Sequence, residues 1–333
     1  MNAPLSAPFP WFSGKSRVAP IVWERFGKVD NYVEPFFGSG AVLLARPDPT
    51  GVETVNDLDG MVANFWRAVK HAPDEVAEWA DWPVNETDLA ARHYWLVTKG
   101  RNRLAALLGD PDGYDAQVAG WWLWGICSWI GSGWCSGNGP WQWSGDEWIK
   151  NDAGRGINRQ LPHMSAGRGI NRQRPHMSDA GQGINRKLPH MSAGQGIREW
   201  MDLLAARLRR VRVAHGDWTR VTGDSVTWRH GRTAVFLDPP YQQDLRADVY
   251  AVETPVSADV RAWAIEAGKR PDMLICLAGY DNEHDMPADW AAVNWKAKGG
   301  YGLQGNDRGR ENAGREMLWF SPACIGAKQE ALL

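Results

Sequence analysis

Two stretches of the chain alternate short apolar runs with longer periodic ones, and a stretch of different texture separates them. In the first, about residues 9–72, Asn31-Tyr32-Val33-Glu34-Pro35-Phe36-Phe37 is an aromatic and β-branched run of strand length that stops at Gly38-Ser39-Gly40. Ala41 to Ala45 predicts a helix, and Val52-Glu53-Thr54-Val55-Asn56 a second strand. Gly60 to His71 predicts a further helix, with Met61, Phe65, Ala68 and Val69 at helical spacing. The same alternation returns over about 208–322. Val211 to Ala214, Thr233 to Leu237, Asp272 to Ala278 and Arg315 to Phe320 read as strands, and Asp259 to Gly268 as a helix capped by Ser257 or Asp259. Strand, glycine turn, helix, strand, helix opens a doubly wound sheet, so the two stretches are expected to build one α/β sheet with residues 73–207 inserted.

Within the insertion, Ala77 to Leu108 reads as mostly helical. Eight Trp fall between Trp121 and Trp148, interleaved with Gly and Ser. That texture suits loops and short strands better than one helix, and core packing accounts for any single Trp. A repeat follows: AGRGINRQLPHMS (153–165), AGRGINRQRPHMS (166–178), AGQGINRKLPHMS (180–192) and a partial AGQGI (193–197), with Asp179 as an extra residue. Each copy holds two Gly, one Pro and one Ile, too little apolar surface for a core. The period is also shorter than the usual solenoid repeats. A basic, glycine-punctuated loop array that orders on meeting a partner is the expectation for 153–197.

Composition narrows the class. Of 333 residues, 44% are hydrophobic and 23% charged, which excludes a wholly disordered or collagen-like chain. No run of about 18 apolar residues exists to span a membrane. The opening MNAPLSAPFPWFSGKSR has no apolar signal core, and the four Cys show no CxxC spacing. A cytoplasmic protein with reduced thiols is expected, as a monomer or weak dimer. The net charge of −2 hides an asymmetry: Lys150 to Arg198 holds nine Lys/Arg against two Asp/Glu. A basic block on an acidic body is what a polyanion-binding face looks like.

The sharpest chemical signal is Asp238-Pro239-Pro240-Tyr241 at the end of an apolar strand. Two prolines stop the ladder and turn the chain outward at the carboxyl edge of the sheet, where ligands bind in open α/β folds. A carboxylate, an unpaired carbonyl and an aromatic face then share one mouth. They suit a planar base with an exocyclic amine, whose two N–H groups need acceptors and whose ring needs a stacking partner. The plainer alternative is a rigid turn with a capping Asp. Glu34 to Gly40 places glycines after a first strand, where backbone can approach a ligand, although the spacing is GxG and not GxGxxG. Asp57 closes the second strand, where an acid can take a ribose hydroxyl pair, or else cap the following helix. Trp11-Phe12-Ser13-Gly14-Lys15 offers a cation, and His215-Gly216-Asp217-Trp218 another acid at a strand end.

In this order, Trp-x-x-Gly-Lys (11–15), EPFFGSG (34–40), NDLD (56–59), HGDW (215–218) and LDPPY (237–241) resemble the Dam-type (D12 class) adenine-N6 DNA methyltransferases. The late strand Glu316 to Phe320 also resembles that family's closing strand. The resemblance implies a Rossmann-like S-adenosylmethionine-dependent methyltransferase sheet, with the catalytic domain in two parts, 9–72 and 208–322. The inserted region, 73–207, would be the target-recognition and DNA-binding part. It implies cofactor contacts at Trp11, Lys15, Glu34, Pro35, Phe36, Gly38, Gly40, Asp57, Asp217 and Asp238, and a catalytic turn at Asp238, Pro239, Pro240 and Tyr241. Double-stranded DNA is the implied partner, in a bacterial or phage-infected cell, for an enzyme that is stand-alone or part of a restriction–modification pair. Ser13 departs from the family's usual Gly, and the repeat has no counterpart in the core pattern.

Phosphate contacts are expected from Arg155, Arg159, Arg168, Arg172, Arg174, Arg186 and Lys187 in the repeat. His163, His176 and His190 recur in register, but each stands alone in its copy, and no metal site is expected. N4-cytosine methylation and a catalytically silent DNA-binding protein on the same fold stay open as alternatives. Intact Asp57, Asp238, Tyr241 and glycine turn favour the enzyme. A protein glutamine methyltransferase is disfavoured, since that family resembles this chain with Asn in place of Asp238.

Overall fold

The computed structural model describes residues 5–11, 14–107, 110, 112–129, 134–135, 139–144, 146–150, 193–240, 256–281, 283–295 and 316–324. The strands are β1 (Asn31–Glu34), β2 (Val52–Asp57), a hairpin of β3 (Trp141–Trp143) and β4 (Trp148–Lys150), then β5 (Val211–His215), β6 (Thr233–Leu237), β7 (Met273–Tyr280), β8 (Ala291–Trp295) and β9 (Glu316–Phe320). All but the hairpin form one Rossmann-like sheet in the order β5-β2-β1-β6-β7-β9-β8. It is parallel through β7, while β9 runs antiparallel to both β7 and β8. β7 is buried along its whole length because it is covered on both faces, hence its continuous apolar run.

The helices are α1 (Ala19–Phe26), α2 (Ala41–Leu44), α3 (Gly60–His71), α4 (Pro73–Ala80), α5 (Glu86–Trp95), α6 (Arg101–Ala106), α7 (Ala116–Ser128), α8 (Ala193–Leu208) and α9 (Ser257–Ala267). A π-helical turn, Leu96–Gly100, joins α5 to α6. Helices α4, α7 and α8 pack on or beside α3, so the insertion and one face of the sheet share a hydrophobic core. Phe9 from the N-terminal segment plugs it, with its ring centroid 4.9 Å from Trp122 and 5.3 Å from Phe65.

Four elements depart from the pattern-based expectation. The Trp-rich stretch begins inside α7, which carries Trp121, Trp122 and Trp124. Asp115 caps that helix by accepting the Val118 N–H at 2.9 Å. Its glycines sit at close approaches: a Cβ on Gly120 would lie 2.3 Å from the Trp79 Cβ. α9 starts at Ser257 with no side-chain cap, because the Ser257 hydroxyl donates instead to Glu283 Oε1 at 2.8 Å. The partial repeat 193–197 forms the start of α8. β8 has no counterpart in the expected pattern; its Ala-Ala-Val-Asn-Trp sequence has buried ends and an edge position. The three full repeat copies lie outside the described residues.

A buried ion triad fastens the returning insertion to the sheet. Glu53 on β2 meets Arg46 at 2.9 Å, and Arg207 at the end of α8 at 2.6 Å and 2.7 Å. Both guanidinium groups also donate to backbone carbonyls, Arg46 to Val29 and Thr50, and Arg207 to Leu43. Among the described residues no helix is long and apolar enough to cross a membrane.

Candidate functional site

A cleft of about 940 Å³, its open mouth included, lies at the carboxyl ends of β1, β2, β5 and β6. It sits where the strand order leaves β1 in opposite directions, toward β2 and toward β6. The turn after β1 shapes one side. Gly38 and Gly40 have φ of +46° and +68°, which a side chain would strain. At Gly38 a Cβ would also lie 2.4 Å from Trp11 Nε1. The turn is held on both faces: the Gly38 carbonyl accepts from Trp66 Nε1, and the Gly38 N–H donates to Asp57 Oδ2, each at 2.8 Å.

Asp57 is thereby fixed at the end of β2, its Oδ1 accepting the Asp59 N–H at 2.9 Å. Burial, with Asp59 close by, pushes its carboxyl up to about 7, against the pull of the backbone N–H groups. The helix cap in Asn56-Asp57-Leu58-Asp59 is Asp59, which accepts the Met61 N–H at 2.8 Å and leaves Asp57 to the cleft. Asn56 ties three turns together, donating to the Pro35 carbonyl at 3.1 Å and the Gly216 carbonyl at 2.9 Å. Its Oδ1 is buried without a hydrogen-bond partner among the described residues. Phe36, Leu58 and Trp218 supply apolar wall, and exposed Asp217 stands on the rim, where it caps a short 3-10 turn through the Thr219 N–H.

The other end of the cleft is charged. Asp238 follows β6, and Lys15, from the 3-10 turn Lys15–Arg17, places its Nζ 2.9 Å from Asp238 Oδ2. The Lys15 and Asp238 side chains are 6% and 13% exposed. Glu316, which opens β9, lies 3.8 Å from the same ammonium. Beneath them Glu34 is buried and accepts the Tyr32 hydroxyl at 2.8 Å. Burial raises the Glu34 carboxyl well above its usual range, Tyr32 opposes that, and the charge of Asp238 adds to it.

Of the residues picked out in the sequence, Trp11, Lys15, Glu34, Pro35, Phe36, Gly38, Asp57, Asp217, Asp238 and Pro240 line this cleft. Gly40 lies under the turn as the N-cap of α2, and Pro239 is buried beside Asp238. Tyr241 and the repeat cations Arg155, Arg159, Arg168, Arg172, Arg174, Arg186 and Lys187 fall outside the described residues. The structure adds Asn56, Trp218, Val256 and Glu316. The first two sit inside recognisable motifs, and Glu316 inside a recognisable strand. Val256 carries no local signal and reaches the cleft because α9 begins beside it. Among the described residues no group of three His, Cys, Asp or Glu is placed to hold a metal ion.

Residues 11–102 match the family model for D12 class N6 adenine-specific DNA methyltransferases. The match takes in Trp11, Lys15, the glycine turn and Asp57, and it ends before β6 and Asp238. Over that stretch the chain is similar to this family, which supports a DNA methyltransferase activity. No curated protein sequence matches the chain.

Proposed function

We propose that this chain is a site-specific DNA methyltransferase, transferring a methyl group from S-adenosylmethionine to N6 of an adenine flipped out of duplex DNA. The observation that carries the reading is Asp238, held by Lys15 at the carboxyl end of β6 and facing the same cleft as Asp57 and the Gly38 turn.

The residues present fit the cofactor. Asp57 offers an acceptor for a ribose hydroxyl pair, and Phe36, Leu58 and Trp218 offer apolar surface for its adenine. Bare backbone at Gly38 allows close approach, where a side chain would already strike Trp11. Trp11, Lys15, Glu34, Pro35 and Asp217 border the same space, and Gly40 sets the turn. Bound there, S-adenosylmethionine supplies an electrophilic methyl group.

The chain's own task is to present the amine. Extruding a base costs about a few kcal/mol, offset by a pocket that reads its edge and stacks its ring. Asp238 and the Pro239 carbonyl accept the two N6 hydrogens, and Tyr241 stacks on the base. Holding both hydrogens draws the nitrogen lone pair out of conjugation with the ring and aims it at the methyl group, so that catalysis is positioning and electrostatics. Residues 73–207 supply the DNA-binding part, with Arg155, Arg159, Arg168, Arg172, Arg174, Arg186 and Lys187 on phosphates.

The test is incubation with labelled S-adenosylmethionine and mixed-sequence duplex DNA, followed by nucleoside identification. N6-methyladenine is expected. N4-methylcytosine would replace the base while keeping the reaction, and no label with cofactor binding intact would point to a non-DNA substrate or a silent binding module. Asp238→Ala is expected to abolish methylation and spare DNA binding; equal loss of both would misplace the catalytic turn.

A further inference from the structure

A second carboxylate stands behind the Lys15–Asp238 pair. Glu316 is 3% exposed and is paired across the sheet with Tyr280 of β7 and Trp295 of β8. Its Oε2 lies 3.8 Å from Lys15 Nζ, which also sits 5.8 Å from the centre of the Trp295 ring. Charged groups from the first turn, the end of β6 and the last strand thus share one dry corner. Burying such groups is costly, and the opposite charges of this corner offset part of that cost.

Resting on the reading of Asp238 as the acceptor of the adenine amine, we propose that Glu316 is a positioning residue of the transfer reaction that acts through Lys15. It holds the ammonium between two carboxylates and takes up part of its charge, so that Asp238 stays fixed and negative enough to accept the amine. Lys15 paired with Asp238 alone would neutralise it, and in a low-dielectric site would withdraw much of its acceptor strength. Glu316 sets a second carboxylate beside the ammonium, 3.8 Å away, and so adds a negative charge there. Glu34 on β1 and Cys276 on β7 also face these groups, and burial holds both toward their neutral forms, so neither replaces that charge.

Glu316→Gln keeps the shape and removes the charge. In the cofactor-free full chain, the Asp238 carboxyl is titrated by carbon-13 NMR in wild type and E316Q, with D238N identifying the resonance. The Asp238 midpoint is expected to fall by about half a pH unit or more in E316Q, because a neighbouring negative charge has gone. In DNA methylation kcat is expected to drop about tenfold, with KM for S-adenosylmethionine changed less than about twofold. Glu316→Asp, which keeps the charge one methylene farther away, is expected to fall between the two in both readouts. An unmoved midpoint overturns the proposal whatever the rates do, as does a moved midpoint with unchanged kcat, or an E316D indistinguishable from E316Q. A wild type that methylates no DNA, with the midpoint still moved, overturns the methyltransferase reading while leaving the Glu316–Lys15–Asp238 coupling standing.

Discussion

Asp57 carries a pH signature inside the cleft. Its carboxyl is pushed up to about 7, so the folded protein holds a proton there that the unfolded chain would release. That contribution to stability is fully present below the ordinary Asp range and is lost as pH rises through about 7. Cofactor binding should run the other way, because a ribose hydroxyl pair donates best to the ionised carboxylate. Calorimetric titration with S-adenosylmethionine between about pH 6 and 8 is expected to show tightening in the wild type and weak, flat binding in Asp57→Asn; a flat wild-type profile would remove Asp57 from the ribose. Gly38 tests the turn beside it. Gly38→Ala combines a left-handed φ with a Cβ 2.4 Å from Trp11 Nε1. A loss of about 1–3 kcal/mol in denaturant unfolding is expected, together with weaker cofactor binding. Both positions are legible in sequence, Asp57 at a strand end and Gly38 in a glycine turn. The cap at Asp59 is not separable from Asp57 there, since spacing cannot tell which of two nearby carboxylates turns back to the helix.

At the scale of elements, α8 packs Trp200, Met201, Leu204 and Leu208 into the core and is tied to β2 at its end by Arg207. Glu53 holds both Arg46 and Arg207, and with them the point where the insertion rejoins the sheet. Glu53→Ala leaves two buried guanidinium groups short of their counter-ion and is expected to cost about 3–5 kcal/mol in urea unfolding. Asp59→Ala, which removes the α3 cap and the negative neighbour of Asp57, is expected to cost about 1 kcal/mol. Equal losses would mean that the triad is no more than a surface pair. Helix α7 shows how the element scale can mislead. Gly120 and Gly125 make its sequence look like loop, yet they mark where Trp79 and Trp134 come too close for any side chain. Gly120→Val is accordingly expected to be strongly destabilising.

At the scale of the whole molecule, the insertion has no boundary in the core. Phe9, Phe65, Trp66 and Trp122 meet in one aromatic cluster drawn from the N-terminal segment, α3 and α7. Residues 73–207 expressed alone are therefore expected to lack a cooperative thermal transition by circular dichroism. Neutralising the repeat arginines should leave cofactor binding intact and weaken DNA binding with a shallower salt dependence, by close to one unit of slope for each phosphate that the protein ceases to neutralise. An unchanged slope would take the repeat off the DNA.

The sequence by itself determined the alternation of strands and helices, the glycine turn, and the acids at the ends of β2 and β6. Those follow from periodicity and backbone restriction, which act over a few residues. Only the tertiary structure decided that Lys15, Asp238 and Glu316 meet, that α7 is a helix, and that Trp122 and Phe9 share a core. Such meetings join residues far apart along the chain, and their energies come from burial and close packing that no local pattern encodes.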